Sequence, residues 1–508
     1  MHMDRKIVAQ VMAMTILCVG TAQGQESGEV GVGEIQQTNP GFLVRIEIDR
    51  KSRDYREGDN LAVKVVSEID AYVYVVYQQA DGKTFQIFPN SKQPDNRLKA
   101  RQAVQIPGDD DLFRWKIGPP FGKEMLKVIA TEHPITSLSE PALRAKRFNP
   151  ISAKELKGVA LELGAIGNDL ITAVDPVSSS GPGRWTECEV ELTTYPANQE
   201  LIASGAKRYG VFFGVSQHKF AFFEEAVSGH SPNLATPHRD ARSLDVVLRD
   251  IGGMNQTKLF TNEEATRKNL EQAITQWLPS VSRPGDTVVI YYSGHGGQIP
   301  DDNGDEADML DEFLVPYDYM GPAAVAGIVK QAKEGTLPPE FAAYVPLAKD
   351  LFQKVGGSLE KLSEVLTRQT CVSDDLFGHW LQMLDDRQVI VVLDICYSGG
   401  FATNEKDLKP QANTPLKNKA FDFLDQEISR LKDIGQTGSV LFTASSTKEV
   451  SLVRSEADLS VMTFYLIESL ERTKGPLEIN QAYQDCLSGM RGYFESERFH
   501  SNNARRRA

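Results

Sequence analysis

Short segments of alternating hydrophobic and polar residues fill the first third of this chain. Between residues 41 and 135 they are rich in β-branched and aromatic residues, and turn sequences such as EGDN and ADGK separate them. The predicted strands include FLVRIEID, NLAVKVVS, AYVYVVYQ, KTFQIFPN and MLKVIATE. A helical segment, SAKELKGVALELG, and a further strand, WTECEVELTTY, follow. We therefore predict a β-rich, sandwich-like domain over residues 41–195.

From about residue 207 the pattern changes to continuous apolar strands that alternate with amphipathic helices. The predicted strands are RYGVFFGVS, TKLFTN, DTVVIYYSGHGG, VIVVLDICYSGG and SVLFTASS. The predicted helices are HRDARSLDVVLRDIGG, ATRKNLEQAITQWLPSV, SDDLFGHWLQMLD and MTFYLIESLER. Such alternation is typical of a mostly parallel sheet covered by helices on both faces. We therefore predict an α/β domain over residues 207–497.

The remaining segments fit neither pattern. Within the α/β domain, residues 319–370 form an insertion with helical composition, and residues 403–436 form a polar, Lys-rich loop. Outside the two domains we predict a signal peptide, a flexible lead-in, a linker and a tail, over residues 1–24, 25–40, 196–206 and 498–508.

The signal peptide is predicted from the order of residue types at the N-terminus. Arg5 and Lys6 precede the apolar stretch IVAQVMAMTILCVG, and the small residues in TAQGQ permit cleavage near Ala22 or Gly24. A buried helix is the alternative. Since no later segment has the apolar length of a transmembrane helix, we expect an exported, periplasmic or extracellular protein without stable membrane insertion.

Charge and cysteine content narrow the classes of function. The net charge of −14 and pI near 5.2 argue against nucleic acid as the main partner, because phosphate binding requires clustered Lys and Arg. After removal of the signal peptide the chain keeps four widely spaced cysteines, which do not form a disulfide framework: Cys188, Cys371, Cys396 and Cys486. An exported thiol that stays reduced would be unusual unless it takes part in chemistry.

Two predicted strands, 286–292 and 389–393, end in segments that carry reactive residues. The first is followed by Ser293-Gly294-His295-Gly296-Gly297, and the second by Asp394-Ile395-Cys396. If the strands are neighbours, His295 and Cys396 meet at one sheet edge, where a base can activate a thiol. Either residue alone is better explained structurally, Cys396 as a small buried side chain and His295 as a capping or core histidine. Together they predict a nucleophile and base, with glycines that let backbone N–H groups approach a carbonyl.

These motifs resemble those of the caspase-like cysteine peptidases, closest to the type I metacaspases and their bacterial relatives. The resemblance covers about residues 207–495, and YYSGHGG and VVLDICYSGG carry it. It implies a caspase-like α/β/α sandwich, Cys396 as nucleophile, His295 as base and leaving-group acid, and an oxyanion hole from the backbone of Gly296 and Cys396. The QAC-x-G signature is absent, so cleavage after Asp is not implied. The preceding β-rich domain resembles an accessory domain of unknown function from bacterial exported proteins.

The resemblance also implies a pocket for Arg or Lys at P1, the substrate residue before the cleaved bond. Its three positions correspond to Asp240, Ser293 and Asp394. Two carboxylates in a partly closed pocket pair well with a guanidinium. On sequence alone Asp240 could equally be a helix N-cap, and Ser293 a small turn residue. Asp394 follows five aliphatic residues and needs a partner or water.

Calcium is a further candidate partner. The acidic run DDNGDEADMLDE, residues 301–312, is not an EF-hand loop, because Glu306 stands where the turn requires Gly. The resemblance implies a different calcium site that uses Asp311, Asp374 and Asp375, but Thr403 replaces a further acid of the family. A solvated acidic loop is the alternative. No cofactor is expected to be required, and Ca²⁺ is a candidate activator.

The predicted function is therefore a cysteine endopeptidase that cleaves protein or peptide substrates after Arg or Lys. Self-cleavage within residues 403–436 is a hypothesis, as is a covering role for the 319–370 insertion. One alternative is a catalytically silent caspase-like scaffold or binding protein. Another is a cysteine peptidase of the same architecture with a different P1 preference. The sequence does not indicate an oligomeric state.

Overall fold

The structure, a computed structural model, describes most of the 508-residue chain. The described residues are 31–37, 40–108, 111, 113–146, 148–164, 183–197, 205–301, 309–338, 355–397, 430–431, 439–443, 454, 458–472 and 479–495. The predicted signal peptide and most of the predicted 403–436 loop lie outside them. No helix in the described part of the chain is long and apolar enough to cross a membrane.

The N-terminal domain consists mainly of short strands. They are β1 Val44–Ile48, β2 Asp54–Arg56, β3 Asn60–Leu61, β4 Val63–Ser67, β5 Ala71–Gln78, β6 Thr84–Phe88, β7 Arg97–Leu98, β8 Val104–Ile106, β9 Trp115–Lys116, β10 Lys123–Thr131, β11 Asn149–Ile151 and β12 Trp185–Tyr195. Two helices accompany them, α1 Thr136–Ser139 and α2 Ala153–Glu162, and Ser152 caps α2 through a capping box with Glu155. Short 3₁₀ turns occupy Val32–Glu34 and Pro141–Arg144.

Two sheets pack against each other in this domain. A sheet of order β1-β4-β8 faces a larger sheet of order β11-β6-β5-β10-β12-β2, with β7 paired to β5. Alternate residues such as Val63, Val65, Val73 and Val128 fill the space between them. The opposite face of the larger sheet packs against α1 and α2. The prediction that WTECEVELTTY returns to this domain is confirmed, because β12 pairs with β10 along its length.

The C-terminal domain alternates strands and helices. Its strands are β13 Arg208–Gly214, β14 Gln256–Thr261, β15 Thr287–Pro300, β16 Leu310–Leu314, β17 Val372–Ser373, β18 Gln388–Tyr397 and β19 Ser439–Thr443. Its helices are α3 Ala221–Ser228, α4 Pro237–Asp250, α5 Arg267–Gln272, α6 Leu278–Val281, α7 Pro322–Glu334, α8 Leu359–Thr370, α9 Asp374–Gln382, α10 Val461–Arg472 and α11 Ile479–Glu495. A 3₁₀ turn covers Asn262–Glu264, and a π-turn, Ala273–Trp277, joins α5 to α6.

Strands β14, β13, β15, β18 and β19 run parallel in that order. Helices α5, α6 and α9 pack on one face of this sheet, and α4, α10 and α11 pack on the other. Both faces of the strands are therefore buried, which explains their continuous apolar runs. The predicted fold class, an α/β/α sandwich with a mostly parallel sheet after a β-rich domain, is confirmed.

Two strands extend further than the sequence predicted. The predicted strand ends at residues 292 and 393 are too early, because β15 continues to Pro300 and β18 to Tyr397. The extra length of β15 pairs with the antiparallel strand β16, which provides hydrogen-bonding partners beyond the parallel sheet. The glycine-rich SGHGG segment is therefore part of strand β15. The sequence analysis ended the strand before it, because glycines usually indicate a turn.

The predicted helical insertion is present in part. Helices α7 and α8 occupy its described residues, and α7 packs closely on α3. A Cβ at Gly327 would lie 1.8 Å from the carbonyl oxygen of Phe223, so glycine permits this approach. Lys330 also donates from Nζ to the carbonyl of Ala226 at 2.7 Å. The covering role that we hypothesised for this insertion stays a prediction.

Candidate active site

The register of β15 and β18 brings the two reactive motifs together. In this parallel pair His295 lies opposite Cys396, and Ser293 lies opposite Asp394. Both strands are built from β-branched and aromatic residues that are buried on both faces, which determines their central position in the sheet. One strand pairing therefore brings together two residues that are 101 positions apart in the sequence, and both lie at the carboxyl edge of the sheet.

The ring of His295 is held from the side of the α3–α4 connection. Its Nε2 lies 2.7 Å from the carbonyl oxygen of Pro232, and only 6% of the residue is exposed. Because a carbonyl oxygen only accepts, Nε2 carries the proton in this contact. In a neutral ring Nδ1 is then the nitrogen that can accept a proton. The backbone of His295 is also fixed, since its carbonyl accepts from the Val315 N–H and the Tyr292 hydroxyl.

A second histidine packs against His295. The ring centroids of His218 and His295 are 5.4 Å apart with an interplanar angle of 32°. Burial, and secondarily the neighbouring His295, lowers the pKa of His218 to about 3. His218 is therefore neutral at physiological pH and does not compete with His295 for a proton.

Asp240 lies inside helix α4 and is completely buried. Its Oδ2 accepts from the Ser293 hydroxyl at 3.3 Å, and its Oδ1 accepts from the backbone N–H of Ser460 at 2.9 Å. The alternative of Asp240 as a helix N-cap is wrong, because Thr236 holds that position. The alternative of Ser293 as a turn residue is also wrong, since it lies in β15. Burial, and then the neighbouring Asp394, raises the pKa of Asp240 to about 7.

Asp394 is the second carboxylate at this place and is also buried. Its Oδ2 accepts hydrogen bonds from two hydroxyl groups at the start of α10, those of Ser460 and, at 2.7 Å, Thr463. The structure thus brings together all three predicted pocket residues, and it adds two that the sequence did not indicate. The arrangement is a buried, acidic cluster directly beside the positions of His295 and Cys396.

Gly214 allows α4 to approach the sheet at this point. It lies opposite Ser293 in the β13–β15 pairing, and a Cβ there would be 2.3 Å from the carbonyl oxygen of Pro237. Because the obstacle is backbone, it could not move away as a side-chain tip would. The close approach of the first turn of α4 is what carries Asp240 to Ser293.

Two of the three acids of the suggested calcium site contact arginines. Asp311 Oδ2 accepts from Arg368 Nη1 at 2.8 Å, and Asp375 Oδ1 accepts from Arg430 Nη1 at 2.8 Å. Arg430 also makes a bidentate contact with Glu68 of the N-terminal domain. Among the residues that the structure describes, no group of three or more His, Cys, Asp or Glu side chains is arranged to hold a metal ion. Thr403 lies outside them.

The cysteines other than Cys396 in the two domains have ordinary structural surroundings. Cys188, Cys371 and Cys486 are buried and reduced. Burial raises the pKa of each thiol, to about 12 for Cys371 and Cys486. They are therefore inert thiols near neutral pH.

Sequence reasoning missed the residues that surround the motifs in space. They come from three separate segments of the chain and belong to no recognisable motif: His218, Pro232, and the pair Ser460 and Thr463 at one helix start. The only local signal is at Ser460, whose hydroxyl accepts from the Thr463 N–H at 3.2 Å, as an N-cap residue does. That signal predicts a helix start and not a contact with Asp394.

Comparisons with known proteins fit this geometry. A family model described as a caspase domain matches residues 211–505, and one described as a domain of unknown function, DUF4384, matches residues 54–134. Metacaspase-1 from Mycosarcoma maydis is 46% identical over 99 residues, which are 18% of this chain and 24% of that protein. Metacaspase-1 from Schizosaccharomyces pombe is 43% identical over 89 residues, 16% of this chain and 21% of that protein.

A plant relative matches a shorter stretch. Metacaspase-2 from Arabidopsis thaliana is 43% identical over 67 residues, 12% of this chain and 16% of that protein. The chain thus matches a quarter or less of the length of these curated relatives. A solved structure of a Geobacter sulfurreducens protein covers 56% of this chain and 88% of its own, at 15% identity and a TM-score of 0.33, a likeness too weak to support the fold.

Proposed function

We propose that this chain, which belongs to the caspase-domain family, is a cysteine endopeptidase that cleaves after Arg or Lys. The observation that carries the proposal is the register of β15 and β18, which makes His295 and Cys396 neighbours and Ser293 and Asp394 neighbours. One pair supplies a base and a nucleophile, and the other supplies part of an acidic pocket. The substrates are proteins or peptides with a basic P1 residue.

The proposed reaction uses Cys396 and His295 as a dyad. Nδ1 of His295 takes the thiol proton, while its Nε2–H stays bonded to the Pro232 carbonyl. The thiolate attacks the scissile carbonyl carbon, and the backbone N–H groups of Gly296 and Cys396 stabilise the oxyanion. The imidazolium then gives its proton to the leaving amine as the peptide bond breaks. Water hydrolyses the remaining thioester with His295 as base, which restores the thiol.

The proposed P1 specificity rests on Asp240 and Asp394. Two buried carboxylates beside the reacting groups attract a cation, and Asp240 accepts hydrogen bonds from neutral groups of Ser460 and Ser293. A guanidinium or ammonium that enters the pocket therefore supplies positive charge to the pair of acids. Arg is expected to be the better P1 residue, because its planar fork can bind carboxylates in two places.

Self-processing extends the same proposal. The lysines Lys406, Lys417 and Lys419 lie in the sequence where we expect cleavage. Arg430 is a poor site, because its guanidinium is bound to Glu68 and Asp375. A chain of active protein that stays intact on prolonged incubation would contradict self-processing. Export is likewise proposed, and it predicts a mature N-terminus near residue 25 on protein recovered from the periplasm or medium.

Calcium has no role in the proposed reaction. The contacts of Arg368 with Asp311 and of Arg430 with Asp375 already supply positive charge to two of the three suggested ligands. We therefore expect activity without added calcium. An activity that requires Ca²⁺ and disappears with a chelator would contradict this expectation and would require Arg368 or Arg430 to move.

Hydrolysis of fluorogenic peptides with Arg, Lys or Asp at P1 tests the proposal, with and without calcium. We expect cleavage after Arg and Lys, no cleavage after Asp, and no activity in Cys396→Ala. Loss of the base in His295→Ala is expected to lower the rate by about 10²–10⁴-fold. Cleavage after Asp, or activity that survives Cys396→Ala, would reject the proposed mechanism. Folded protein without activity towards any of the peptides would favour a catalytically silent scaffold.

A further inference from the structure

The start of helix α10 contacts both carboxylates of the acidic pocket. Ser460, immediately before α10, donates its backbone N–H to Asp240 and its hydroxyl to Asp394. One turn later, Thr463 donates its hydroxyl to Asp394. All of these groups are buried. Residues from a segment some 65 positions after Asp394 therefore determine how the two acids are held.

The Thr463 hydroxyl is one step in a directed chain of hydrogen bonds. A hydroxyl has one proton to donate, and Thr463 donates it to Oδ2 of Asp394. The Tyr291 hydroxyl, 2.5 Å from Thr463 Oγ1, must then be the donor in that contact. The order is Tyr291 to Thr463 to Asp394, and such chains strengthen each bond within a buried site.

These donors hold the carboxyl group of Asp394 in one orientation. Hydrogen bonds to an ionised acceptor are stronger than neutral ones, and a buried carboxylate needs them to stay charged. Asp240 lies against the same residues, and like charges in one site oppose each other's ionisation. Without the hydroxyls of α10, the carboxyl group of Asp394 would lose these contacts and would be less well placed to bind a cation.

We propose that Thr463 and Ser460 are positioning residues that set the specificity for a basic P1 side chain by holding the carboxyl group of Asp394 in place. This inference rests on the proposed function, and it adds that the pocket depends on α10 as well as on the two strand motifs. Neither residue takes part in bond making or breaking. Their effect is therefore expected in substrate binding and not in the chemical step.

Thr463 is the better residue to test. Ser460 also accepts from the Thr463 N–H and thus stabilises the helix start, so its substitution mixes two effects. Thr463→Val removes the hydroxyl and keeps the shape, and Thr463→Ser restores the hydroxyl. Thr275→Val is a matched control, because Thr275 bonds through its hydroxyl to the Glu271 carbonyl within its own helical segment.

The first measurement is steady-state kinetics with peptides that carry Arg or Lys at P1. For Thr463→Val we expect KM to rise by about tenfold or more with kcat within about twofold, since hydrogen bonds to charged groups are among the stronger ones. Thr463→Ser and Thr275→Val are expected to behave as the wild type does. An unchanged KM in Thr463→Val, or an equal loss in Thr275→Val, would overturn the inference.

A binding measurement separates this inference from the proposed reaction. Benzamidine resembles an arginine side chain, and its binding to the Cys396→Ala protein does not require catalysis. We expect Thr463→Val in that background to weaken binding by a factor similar to the change in KM. Weakened binding without any peptidase activity would support the pocket and reject the reaction. Cleavage after Arg with unchanged benzamidine affinity would support the reaction and reject the role of Thr463. No binding in any variant would reject the cation pocket and, with it, the role of Thr463.

Discussion

Glu187 and His379 form a buried contact between the two domains, with His379 Nε2 3.2 Å from Glu187 Oε1. Glu187 lies on β12 of the N-terminal domain and His379 on α9 of the caspase domain. Lys127 is 3.3 Å from the other carboxylate oxygen of Glu187, and both are fully buried. Burial alone would raise the pKa of Glu187, but Lys127 and His379 outweigh it and lower the pKa to about 2.

Further contacts surround this pair. Arg45 Nε lies 2.7 Å from Asp385 Oδ2, and Arg53 donates to the carbonyl of Asp385 at 3.1 Å. Asp385 shortly precedes β18, the strand that carries Asp394 and Cys396. Leu43 of the N-terminal domain also packs into the core of the caspase domain. The N-terminal domain therefore supports the base of the reactive strand.

We predict that Glu187→Gln destabilises the protein strongly. Removing the charge of Glu187 leaves Lys127 with the carboxylate of Glu189, 3.1 Å away, and loss of one partner from a buried ion pair costs about 3 kcal/mol or more. Because the pKa of Glu187 is lowered, its stabilisation is complete above about pH 4.5 and is lost as the pH falls towards 2. Thermal unfolding at pH 7 and pH 4 measures both effects.

The matched control is Glu191→Gln on the same strand. Glu191 contacts Lys123 at 3.6 Å, and both side chains are exposed by more than half, so its loss should cost less than about 1 kcal/mol. Equal destabilisation by the two substitutions would show that the buried pair has no special importance.

Gly214→Ala is predicted to damage the acidic pocket. The new Cβ would overlap the carbonyl oxygen of Pro237, so α4 must move and carry Asp240 away from Ser293. We expect a higher KM for Arg substrates and a stability loss of about 1–3 kcal/mol, the usual cost of overpacking. Gly118→Ala, with nothing within 4 Å of its Cβ, is the control. Normal kinetics in Gly214→Ala would contradict the account of how α4 is positioned.

The affinity for a P1 cation is predicted to depend on pH through Asp240. Burial and the adjacent Asp394 raise the pKa of Asp240 to about 7, so the carboxyl is protonated below that pH. A bound guanidinium requires the ionised form, so benzamidine affinity for Cys396→Ala should fall by up to about tenfold per pH unit below pH 7. Isothermal calorimetry between about pH 5.5 and about 8.5 measures this affinity. In buffers of different ionisation enthalpy, it also counts the proton that Asp240 releases when benzamidine binds. A pH-independent affinity would contradict the prediction.

The raised pKa of Asp240 also makes the stability of the protein depend on pH. The native state binds the Asp240 proton more tightly than the unfolded chain, whose carboxyl has the ordinary pKa of 3.8. This group therefore makes the protein less stable as the pH rises from about 4 to 7. Asp240→Asn should therefore flatten the dependence of the free energy of unfolding on pH in this range. An unchanged slope would mean that a group other than Asp240 causes it.

Thiol labelling is predicted to select Cys396. Burial raises the pKa of Cys188, Cys371 and Cys486 far above neutrality, whereas Cys396 lies beside a base in the strand register. At pH 7 iodoacetamide should therefore label Cys396 first, and His295→Ala should slow the reaction. Peptide mapping by mass spectrometry identifies the labelled residue, and unfolded protein is the control in which all cysteines react. Faster labelling of any other cysteine would reject this assignment.

Much of the fold could be predicted because its signals are local. Period-two segments and continuous apolar runs identified the strands, and WTECEVELTTY matched β12 residue for residue. The predicted strand ends were wrong where the length of a strand depends on its pairing partner. Strand β15 is an example, since it continues to Pro300 beside β16. The sequence analysis did not predict helix α11. In the structure this helix is partly buried, through Ala482 and Cys486.

The sequence by itself determined the strand-end motifs, and through them His295, Cys396, Ser293 and Asp394 as candidates. Residue type and spacing are sufficient there because adjacent parallel strands bring their carboxyl ends to one edge. Only the tertiary structure decided that Asp240 contacts Ser293 and Ser460 and is not a helix cap, that Pro232 and His218 contact the His295 ring, and that α10 supplies donors to Asp394. It also decided that arginines occupy two of the suggested calcium ligands. These contacts join side chains from distant segments of the chain in a site from which water is excluded. Burial makes each such polar contact stronger, and no local sequence pattern predicts which distant segments will be in contact.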